Sequence, residues 1–115
     1  MSAPKTPAAS PTVRVQSPAR ISPGQTVAIR VAIAHPMVTG QQNDDQGRRQ
    51  IRNILTRFEC HGPAGLLWAM DLHPAMAANP SLQFFLRPSA TMTLSLRWWG
   101  DQGFEHEHTH ELVVT

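Results

Sequence analysis

The stretch Val27-Ala28-Ile29-Arg30-Val31-Ala32-Ile33-Ala34 alternates large aliphatic side chains with alanine or arginine. Successive side chains of an extended strand point to opposite faces, so this stretch predicts a strand with one buried and one solvated face. Ser22-Pro23-Gly24 just before it has the composition of a turn, and Pro36 just after it ends the strand. Residues 37–50 are polar and are predicted to form the longest loop.

The same two-residue period recurs along the rest of the chain. It predicts six more strands, at residues 13–15, 54–60, 66–72, 82–86, 92–98 and 104–114. The alternation in 54–60 places Ile54 and Leu55 on opposite faces, and that in 66–72 places Leu66, Trp68, Met70 and Leu72 on one face. About seven short strands separated by turn residues predict an all-β domain, an immunoglobulin-like antiparallel β-sandwich, over residues 12–115.

Length and composition place the chain among small globular domains. Its 115 residues suit one domain, and 41% hydrophobic against 16% charged residues excludes a disordered chain. Ten prolines disfavour a long-helix protein, and three of them lie in residues 1–11, which are predicted to be a flexible N-terminal tail. That segment lacks the apolar region of a secretory signal, and no run of 18 apolar residues occurs. The sequence alone therefore predicts a cytoplasmic protein without a membrane span.

Charge is distributed unevenly along the chain. Residues 1–57 hold eight basic and two acidic side chains, whereas residues 58–115 hold two basic and six acidic ones. These charges either cancel across the faces of the sandwich or leave a basic surface at residues 48–57 for an anionic partner. Nucleic acid is not expected as a partner, because there is no run of Lys or Arg with interleaved aromatic residues.

The stretch Glu105-His106-Glu107-His108-Thr109-His110 holds the strongest candidate for chemistry. His106, His108 and His110 share one face of a strand, where neighbouring rings are within reach of one metal ion. Leu112 and other apolar residues share that face, so the alternative is a solvated strand whose histidines are turned outward by a bulge. The solvated strand is favoured, and no cofactor is predicted.

The single cysteine, Cys60, has two interpretations. His61 lies beside it and would be available as the base of a nucleophilic thiol. Cys60 also falls in the alternating set of Phe58, which favours a small buried hydrophobe. Neither a Gly-x-Ser-x-Gly nor a Gly-x-x-x-x-Gly-Lys motif occurs. No catalytic residue is therefore predicted, and we do not expect an enzyme.

Two loops at predicted strand ends combine a His-Pro pair with methionine. One is His35-Pro36-Met37, followed by Gly40, and the other runs from His73-Pro74 to Asn79-Pro80. Methionine adapts its shape to a contact surface, whereas the alternative is a pair of ordinary sandwich corners. Residues 73–80 suit either one helical turn or a tight crossover.

These blocks resemble the SoxZ family of bacterial sulfur oxidation. The resemblance is carried by three stretches: His35-Pro36-Met37 with Gly40, Ile54-Leu55-Thr56-Arg57-Phe58-Glu59-Cys60, and Asp71-Leu72-His73-Pro74-Ala75 continuing to Ala77-Ala78-Asn79-Pro80. The stretches stand in the family's order, and the resemblance extends over about residues 12–115. The histidine-rich stretch and Trp98-Trp99 depart from the pattern of the family.

The resemblance implies a non-catalytic subunit of the SoxYZ sulfur-carrier complex. Proteins similar to SoxZ form a heterodimer with SoxY, whose own cysteine, in a Gly-rich tail, carries thiosulfate-derived sulfur for other Sox enzymes. The resemblance places the partner-binding residues among His35, Pro36, Met37, Gly40, Arg57, His73, Pro74, Asn79 and Pro80. It also implies a periplasmic location, reached by export together with a signal-bearing partner.

A partner-binding subunit has a consequence for its isolated surface. We expect large apolar side chains to remain exposed, since obligate interfaces resemble a core cut in half. The alternatives are a metal-binding sandwich built on His106, His108 and His110, and a generic adhesion or structural module without a fixed partner.

Overall fold

A computed structural model describes residues 11–41, 43, 45–73 and 78–115 of the chain. The described residues contain seven strands: β1 (Val13–Gln16), β2 (Val27–Ile33), β3 (Leu55–Gly62), β4 (Gly65–Asp71), β5 (Ser81–Leu86), β6 (Met92–Gly100) and β7 (Glu105–Leu112). A short 3-10 turn, Asp101–Gly103, joins the last two. None of the described stretches is a helix of the length and hydrophobicity that crossing a bilayer requires.

The strands form two antiparallel sheets. One has three strands in the order β1-β2-β5, and the other has four in the order β4-β3-β6-β7. β2 therefore pairs with β5, over a register that runs from Val27 opposite Leu86 to Ala32 opposite Ser81. Strands that are neighbours in a sheet but distant in sequence are typical of Greek-key sandwiches, so the predicted all-β, immunoglobulin-like fold is confirmed.

The core fills the space between the two sheets. Every second side chain of β2, from Val27 to Ile33, is at most 3% exposed. The ring of Phe58 lies at the centre, with its centroid 5.1 Å from that of Trp98 and 5.9 Å from that of Phe84. Burying one large apolar side chain stabilises a fold by about 1.5–3 kcal/mol, so this core is a major source of the stability of the sandwich.

A register shift at the start of β3 changes one predicted face. The pairing of β3 with β6 shifts between Leu55 and Arg57. Ile54 and Leu55 are both buried, at 2% and 0% exposure, although strict alternation assigns them to opposite faces. A bulge adds one residue to a strand and so brings two successive side chains to the same side.

A second register shift changes the face of Leu66. The pairing of β3 with β4 shifts between Cys60 and His61, so that Leu66 lies opposite His61. Leu66 is 53% exposed. The prediction that Leu66 shares a face with Trp68 and Met70 is therefore wrong, because the extra residue in β4 reverses the alternation.

The two long sides of the sandwich are built differently. At one side, which we call the closed side, β1 and β7 are the end strands. There the Ile21 N–H donates to the Val113 carbonyl oxygen at 2.9 Å, and the Thr115 N–H donates to the Ile21 carbonyl oxygen at 3.0 Å. At the other side, the open side, β4 and β5 are the end strands. No strand of the described residues pairs with their outer edges.

Candidate partner-binding site

The predicted partner-binding residues come together at one end of the sandwich. β2 and β4 end there, and β3 and β5 begin there. The residues of this set that the structure describes are His35, Pro36, Met37, Gly40, Arg57, His73, Asn79 and Pro80. Pro74 lies outside the described residues, as does most of the predicted helical turn or crossover.

Hydrogen bonds join the loop after β2 to the segment before β5. The His35 N–H donates to Asn79 Oδ1 at 2.9 Å, and the Asn79 N–H donates to the His35 carbonyl oxygen at 2.7 Å. Asn79 has a φ of 54°, a left-handed conformation that asparagine adopts more readily than most residues. The Ile33 N–H also donates to the Pro80 carbonyl oxygen at 3.2 Å. The two loops thus form a single corner.

The ring of His35 is buried inside this corner, at 4% exposure. Its Nδ1 accepts a hydrogen bond from the Met37 N–H at 3.0 Å, and its edge meets the ring of Phe104 with centroids 5.3 Å apart. Burial lowers the pKa of His35, and the charge of Asp101 opposes that shift. The form that fits the corner is therefore a neutral ring with its proton on Nε2.

Met37 and Gly40 fix the course of the chain beyond the corner. Met37 is 4% exposed, has a φ of 50°, and its Sδ accepts the Leu55 N–H at 3.3 Å. Gly40 has a φ of 85°, and a Cβ built on it would lie 3.2 Å from Cβ of Arg52. Glycine suits both that backbone conformation and the close contact.

Burial differs among the predicted residues of the two loops. His35, Met37 and Pro80 are buried, Gly40 is half-buried, and Pro36, His73 and Asn79 are exposed. The buried members shape the two loops, and the exposed members are those that a partner at this end would meet. Their contact with a partner stays a prediction.

Arg57 belongs to a row of charges on the outer face of β3. Its Nε donates to Glu59 at 2.7 Å and its Nη1 to Asp71 at 2.8 Å, while Nε2 of His61 lies 2.6 Å from Glu59. The hydrogen bond to Glu59, followed by that to Asp71, raises the pKa of Arg57. The charge of Arg57 is neutralised within the chain, which disfavours it as a site for an anion.

Asp101 anchors the loop that precedes β3. It accepts hydrogen bonds from Nε and Nη2 of Arg52, both at 2.8 Å, and from the Ile54 N–H at 3.1 Å. The bond from Arg52, with a smaller effect of the Ile54 amide, lowers the pKa of Asp101. The sequence places Asp101 between two predicted strands and predicts no role for it, because nothing local signals a partner 49 residues away. This ion pair also reduces the free positive charge of residues 48–57.

Cys60 is part of the core. Its side chain is 0% exposed, and burial raises the pKa of its thiol to about 11. His61, the neighbour that a nucleophile would need as its base, points to the outer face and bonds with Glu59. The prediction of a small buried hydrophobe is confirmed.

The three histidines of β7 lie half-buried on its inner face. β6 and β7 pair without a register shift, so His106, His108 and His110 occupy the face that buries Leu112. The favoured prediction of an outward-facing stripe is wrong, because no bulge reverses the faces of this strand.

His106 and His110, the first and last of the three histidines, each contact a different neighbouring side chain. Nε2 of His110 lies 2.8 Å from Oγ of Ser17, and the ring of His106 lies 6.0 Å from that of Trp98. Burial, followed by the charge of His108, lowers the pKa of both. The described part of the chain holds no group of three or more His, Cys, Asp or Glu side chains arranged around a metal ion. The geometry gives the metal-binding alternative no support.

Large apolar side chains remain exposed, as expected for a partner-binding subunit. They are Ile51, Phe85, Leu66 and Leu67, at 78%, 62%, 53% and 44% exposure. Three of the four lie on β4 or β5, at the open side. Sequence reasoning did not locate them. The signal available in the sequence was that these two strands have almost no charged residues. Edge strands of soluble proteins normally carry charged side chains.

Comparison with known proteins identifies one family. The model of the family described as sulphur oxidation protein SoxZ matches residues 13–111. No curated protein sequence matches the chain significantly.

Solved structures share the sandwich at low sequence identity. The sulfur carrier protein SoxY from Chlorobium limicola f thiosulfatophilum is 20% identical with a TM-score of 0.64, over 90% of this chain and 78% of that one. A superoxide reductase (neelaredoxin) from Ignicoccus hospitalis is 18% identical with a TM-score of 0.68, over 90% and 80% of the two chains. At these identities the likeness establishes the fold alone.

Proposed function

The chain belongs to the SoxZ family of sulphur oxidation proteins, and from this membership we propose that it is the non-catalytic subunit of a SoxYZ-type sulfur-carrier complex. In this complex it binds a SoxY-like chain, and other Sox enzymes act on the sulfur that the partner carries. Members of the family are expected to supply a binding surface and no reacting group.

The state of Cys60 carries this proposal. A carrier thiol has to be accessible and at least partly ionised, because the thiolate is the nucleophile. Cys60 is the one cysteine of the sequence, it is fully buried, and its thiol has a pKa of about 11. The division of labour that the family implies, with the sulfur on the cysteine of the partner, is consistent with this chemistry.

The proposed partner has a fold like that of this chain. The solved SoxY structure matches 90% of the chain with a TM-score of 0.64. The exposed apolar side chains of β4 and β5 supply surface that a stable heterodimer would bury. These two observations support a complex of two related sandwiches.

Co-expression tests the proposal. A SoxY-like protein with an affinity tag is produced together with the untagged chain, and the purified sample is measured by light scattering. We expect a one-to-one heterodimer, formed equally well by the Cys60→Ala variant. Failure of the two chains to associate would contradict the proposal, as would a sulfur adduct on Cys60 in the mass spectrum of the thiosulfate-treated complex.

We also propose that the complex works in the periplasm in the oxidation of thiosulfate or a related sulfur compound. Support comes from the family alone, whose members are exported with the partner. Osmotic-shock fractionation of the native host should release the chain with the periplasmic proteins. Deletion of the gene for the partner should then retain it in the cytoplasm, and an unchanged distribution would contradict co-export.

A further inference from the structure

The outer face of the three-stranded sheet is basic and has no acidic side chain. Alternation in β1, β2 and β5 turns every second side chain of these strands outward. Two of the outward residues are arginines, and the others are neutral. The full set is Arg14 and Gln16 on β1, Ala28, Arg30 and Ala32 on β2, and Ser81, Gln83 and Phe85 on β5. We call this surface the basic face.

The arginines of the basic face differ in their partners from those of the other sheet. Three arginines on or next to the four-stranded sheet each pair with a carboxylate, namely Arg52, Arg57 and Arg97. On the basic face, Arg30 donates from Nη2 to the neutral Oε1 of Gln83 at 3.1 Å. Within the described ranges, neither Arg14 nor Arg30 pairs with a carboxylate. Their charges are therefore available to an anion from outside the chain.

The pairing of β1 with β2 sets the distance between these two arginines. Arg14 lies opposite Ala32 and Gln16 lies opposite Arg30, so the two arginines are diagonal neighbours. Diagonal neighbours of an antiparallel pair are about 7–8 Å apart. Alternate side chains of an extended chain are about 6.6 Å apart, which is twice the rise of about 3.3 Å per residue. Two carboxylates at positions i and i+2 of an extended segment thus match the two guanidinium groups.

The alanines of β2 leave space for such a segment beside each arginine. One hollow, of about 370 Å³, has Arg14 and Ala32 among its lining residues, and the other, of about 330 Å³, has Ala28 and Arg30. Each hollow thus combines an arginine that no carboxylate neutralises with the short side chain of an alanine. The amide of Gln16 also lines the second hollow, where it is able to donate and accept hydrogen bonds with the backbone of a bound chain.

We propose that the basic face binds an extended acidic segment of another protein, whose carboxylates at alternate positions contact Arg14 and Arg30. Arginine binds a carboxylate through two parallel hydrogen bonds, which gives such a contact a defined geometry. The two arginines lie on β1 and β2, whereas the exposed apolar side chains that support the proposed heterodimer lie on β4 and β5. The site therefore goes beyond the proposed function and does not depend on the SoxY-like chain.

A second copy of this chain fits the basic face less well. Acidic side chains alternate on the outer face of β7, at Glu105 and Glu107, but both already have partners. Glu105 accepts a hydrogen bond from Nε1 of Trp99 at 2.9 Å, and Glu107 pairs with Nε of Arg97 at 3.0 Å. Contact between two different faces of identical copies also generates a ring or an open filament, and not a closed dimer.

Two labelled peptides of equal composition test the spacing. One consists of four Glu-Thr repeats, and the other of two Glu-Glu-Thr-Thr repeats, in which no two carboxylates stand at positions i and i+2. Binding to the wild-type chain is measured by fluorescence anisotropy at low ionic strength, where exposed charges are screened least. We expect the alternating peptide to bind about fivefold more tightly or better, since only it engages both arginines. Equal binding of the two peptides, or no binding of either, would overturn the proposal.

Two double variants with the same change of net charge test the location. Arg14→Gln/Arg30→Gln removes both charges from the basic face, and Arg48→Gln/Arg49→Gln removes two exposed charges from the loop before β3. We expect affinity for the alternating peptide to fall about tenfold or more in the first variant and to stay within about twofold in the second. An equal loss in both would show an effect of net charge alone, and a loss only in the second would place the site in the loop. Either result overturns the proposal.

Amide chemical shifts of the wild-type chain locate the peptide without any substitution. Shifts on addition of the alternating peptide should concentrate in β1, β2 and β5, and shifts centred on residues 48–57 would contradict the site. Displacement of the peptide by millimolar sulfate, but not by chloride of equal ionic strength, would assign the arginines to a small free oxyanion and overturn the proposal. Self-association that the peptide reverses would assign the face to a second copy, with the same consequence.

Binding of the SoxY-like chain separates this site from the proposed function. The Arg14→Gln/Arg30→Gln variant should form the heterodimer as well as wild type does. Loss of the heterodimer in this variant would place the carrier partner on the basic face and overturn the inference. If wild type forms no heterodimer but binds the alternating peptide as expected, the proposed function is wrong and the basic face remains an acidic-segment site.

Discussion

Asn79 serves the corner with its backbone and its side chain at the same time. Its left-handed φ of 54° turns the chain, and its Oδ1 accepts the His35 N–H. Alanine at this position would lose the side-chain bond and adopt the backbone conformation poorly, whereas glycine would lose the bond, adopt the conformation without strain and carry only its usual entropy cost. The pair of substitutions therefore separates the two contributions.

Asn79→Ala is expected to destabilise the fold more than Asn79→Gly. The lost hydrogen bond leaves the part-buried His35 N–H without its acceptor, at a cost of about 1–3 kcal/mol in both variants. Alanine adds about 1 kcal/mol for the left-handed backbone. Urea unfolding of both variants measures the difference, and equal midpoints would show that φ at this position is not restrictive.

Cys60 should be inert in the folded chain. A pKa of about 11 leaves on the order of one thousandth of the thiol ionised at pH 8, and the side chain is inaccessible as well. Iodoacetamide should modify the native protein orders of magnitude more slowly than the urea-unfolded protein at that pH. Similar rates would place the thiol at the surface and remove the main support for the non-catalytic role.

At the scale of single residues, the sequence predicted burial correctly where the position of a side chain in the alternating pattern of its strand decides which face it occupies. Cys60 was predicted to be buried because it alternates with Phe58, and the core contains both. The roles of His35 and Asp101 depend on partners 44 and 49 residues away. A local pattern carries no information about such contacts.

At the scale of elements, the strands were predictable and their faces less so. Alternation located all seven, because a half-buried strand imposes a period of two on its sequence. The faces of Leu55 and Leu66 were wrong, since a single extra residue reverses a strand. The prediction for the histidines of β7 failed in the opposite way. Their polarity suggested that they face solvent, but the uninterrupted register with β6 places them on the inner face.

The inner face of β7 should make the fold sensitive to acid. Burial lowers the pKa of His106 and His110 in the folded state, whereas both return to about 6.5 on unfolding. The unfolded chain therefore binds more protons below that pH. The stability that these groups confer is complete above about pH 6.5 and declines as the pH falls through the folded values.

The double variant His106→Thr/His110→Thr tests this expectation. Threonine suits a strand and cannot be protonated, so the variant should lose less stability than wild type between pH 7.5 and pH 5. Midpoints of urea unfolding at the two pH values give the comparison. His35 also has a lowered pKa, but it is present in both proteins. An equal loss in the two proteins would contradict a role for β7.

For the whole molecule, the contrast between the two sides of the sandwich matters most. The closed side is joined by hydrogen bonds of Ile21, and by the contact of Ser17 with His110. The open side carries exposed Leu66 and Phe85 on edges with almost no charge. The isolated chain is a complete sandwich with one unprotected flank.

The partner should stabilise the chain against heat. A ligand at 100 times its dissociation constant stabilises the folded state by about 2.7 kcal/mol, which corresponds to a rise in Tm on the order of 10 °C for a domain of this size. Calorimetric scans of the chain with and without the SoxY-like protein give the shift. An unrelated protein at the same concentration should leave the Tm unchanged. Equal Tm values with and without the SoxY-like protein would argue against the complex.

The backbone hydrogen bonds of Ile21 at the closed side also affect the order in which the chain folds during synthesis. Ile21 is 1% exposed, and both of its backbone groups bond to residues 113–115. β2 likewise waits for β5, which emerges about fifty residues later. On the ribosome the hairpin β3–β4 is therefore able to form before β5, β6 and β7 have emerged. The hydrogen bonds that join the two sheets at the closed side form only once residues 113–115 have left the exit tunnel, so a chain truncated before them should lack this connection.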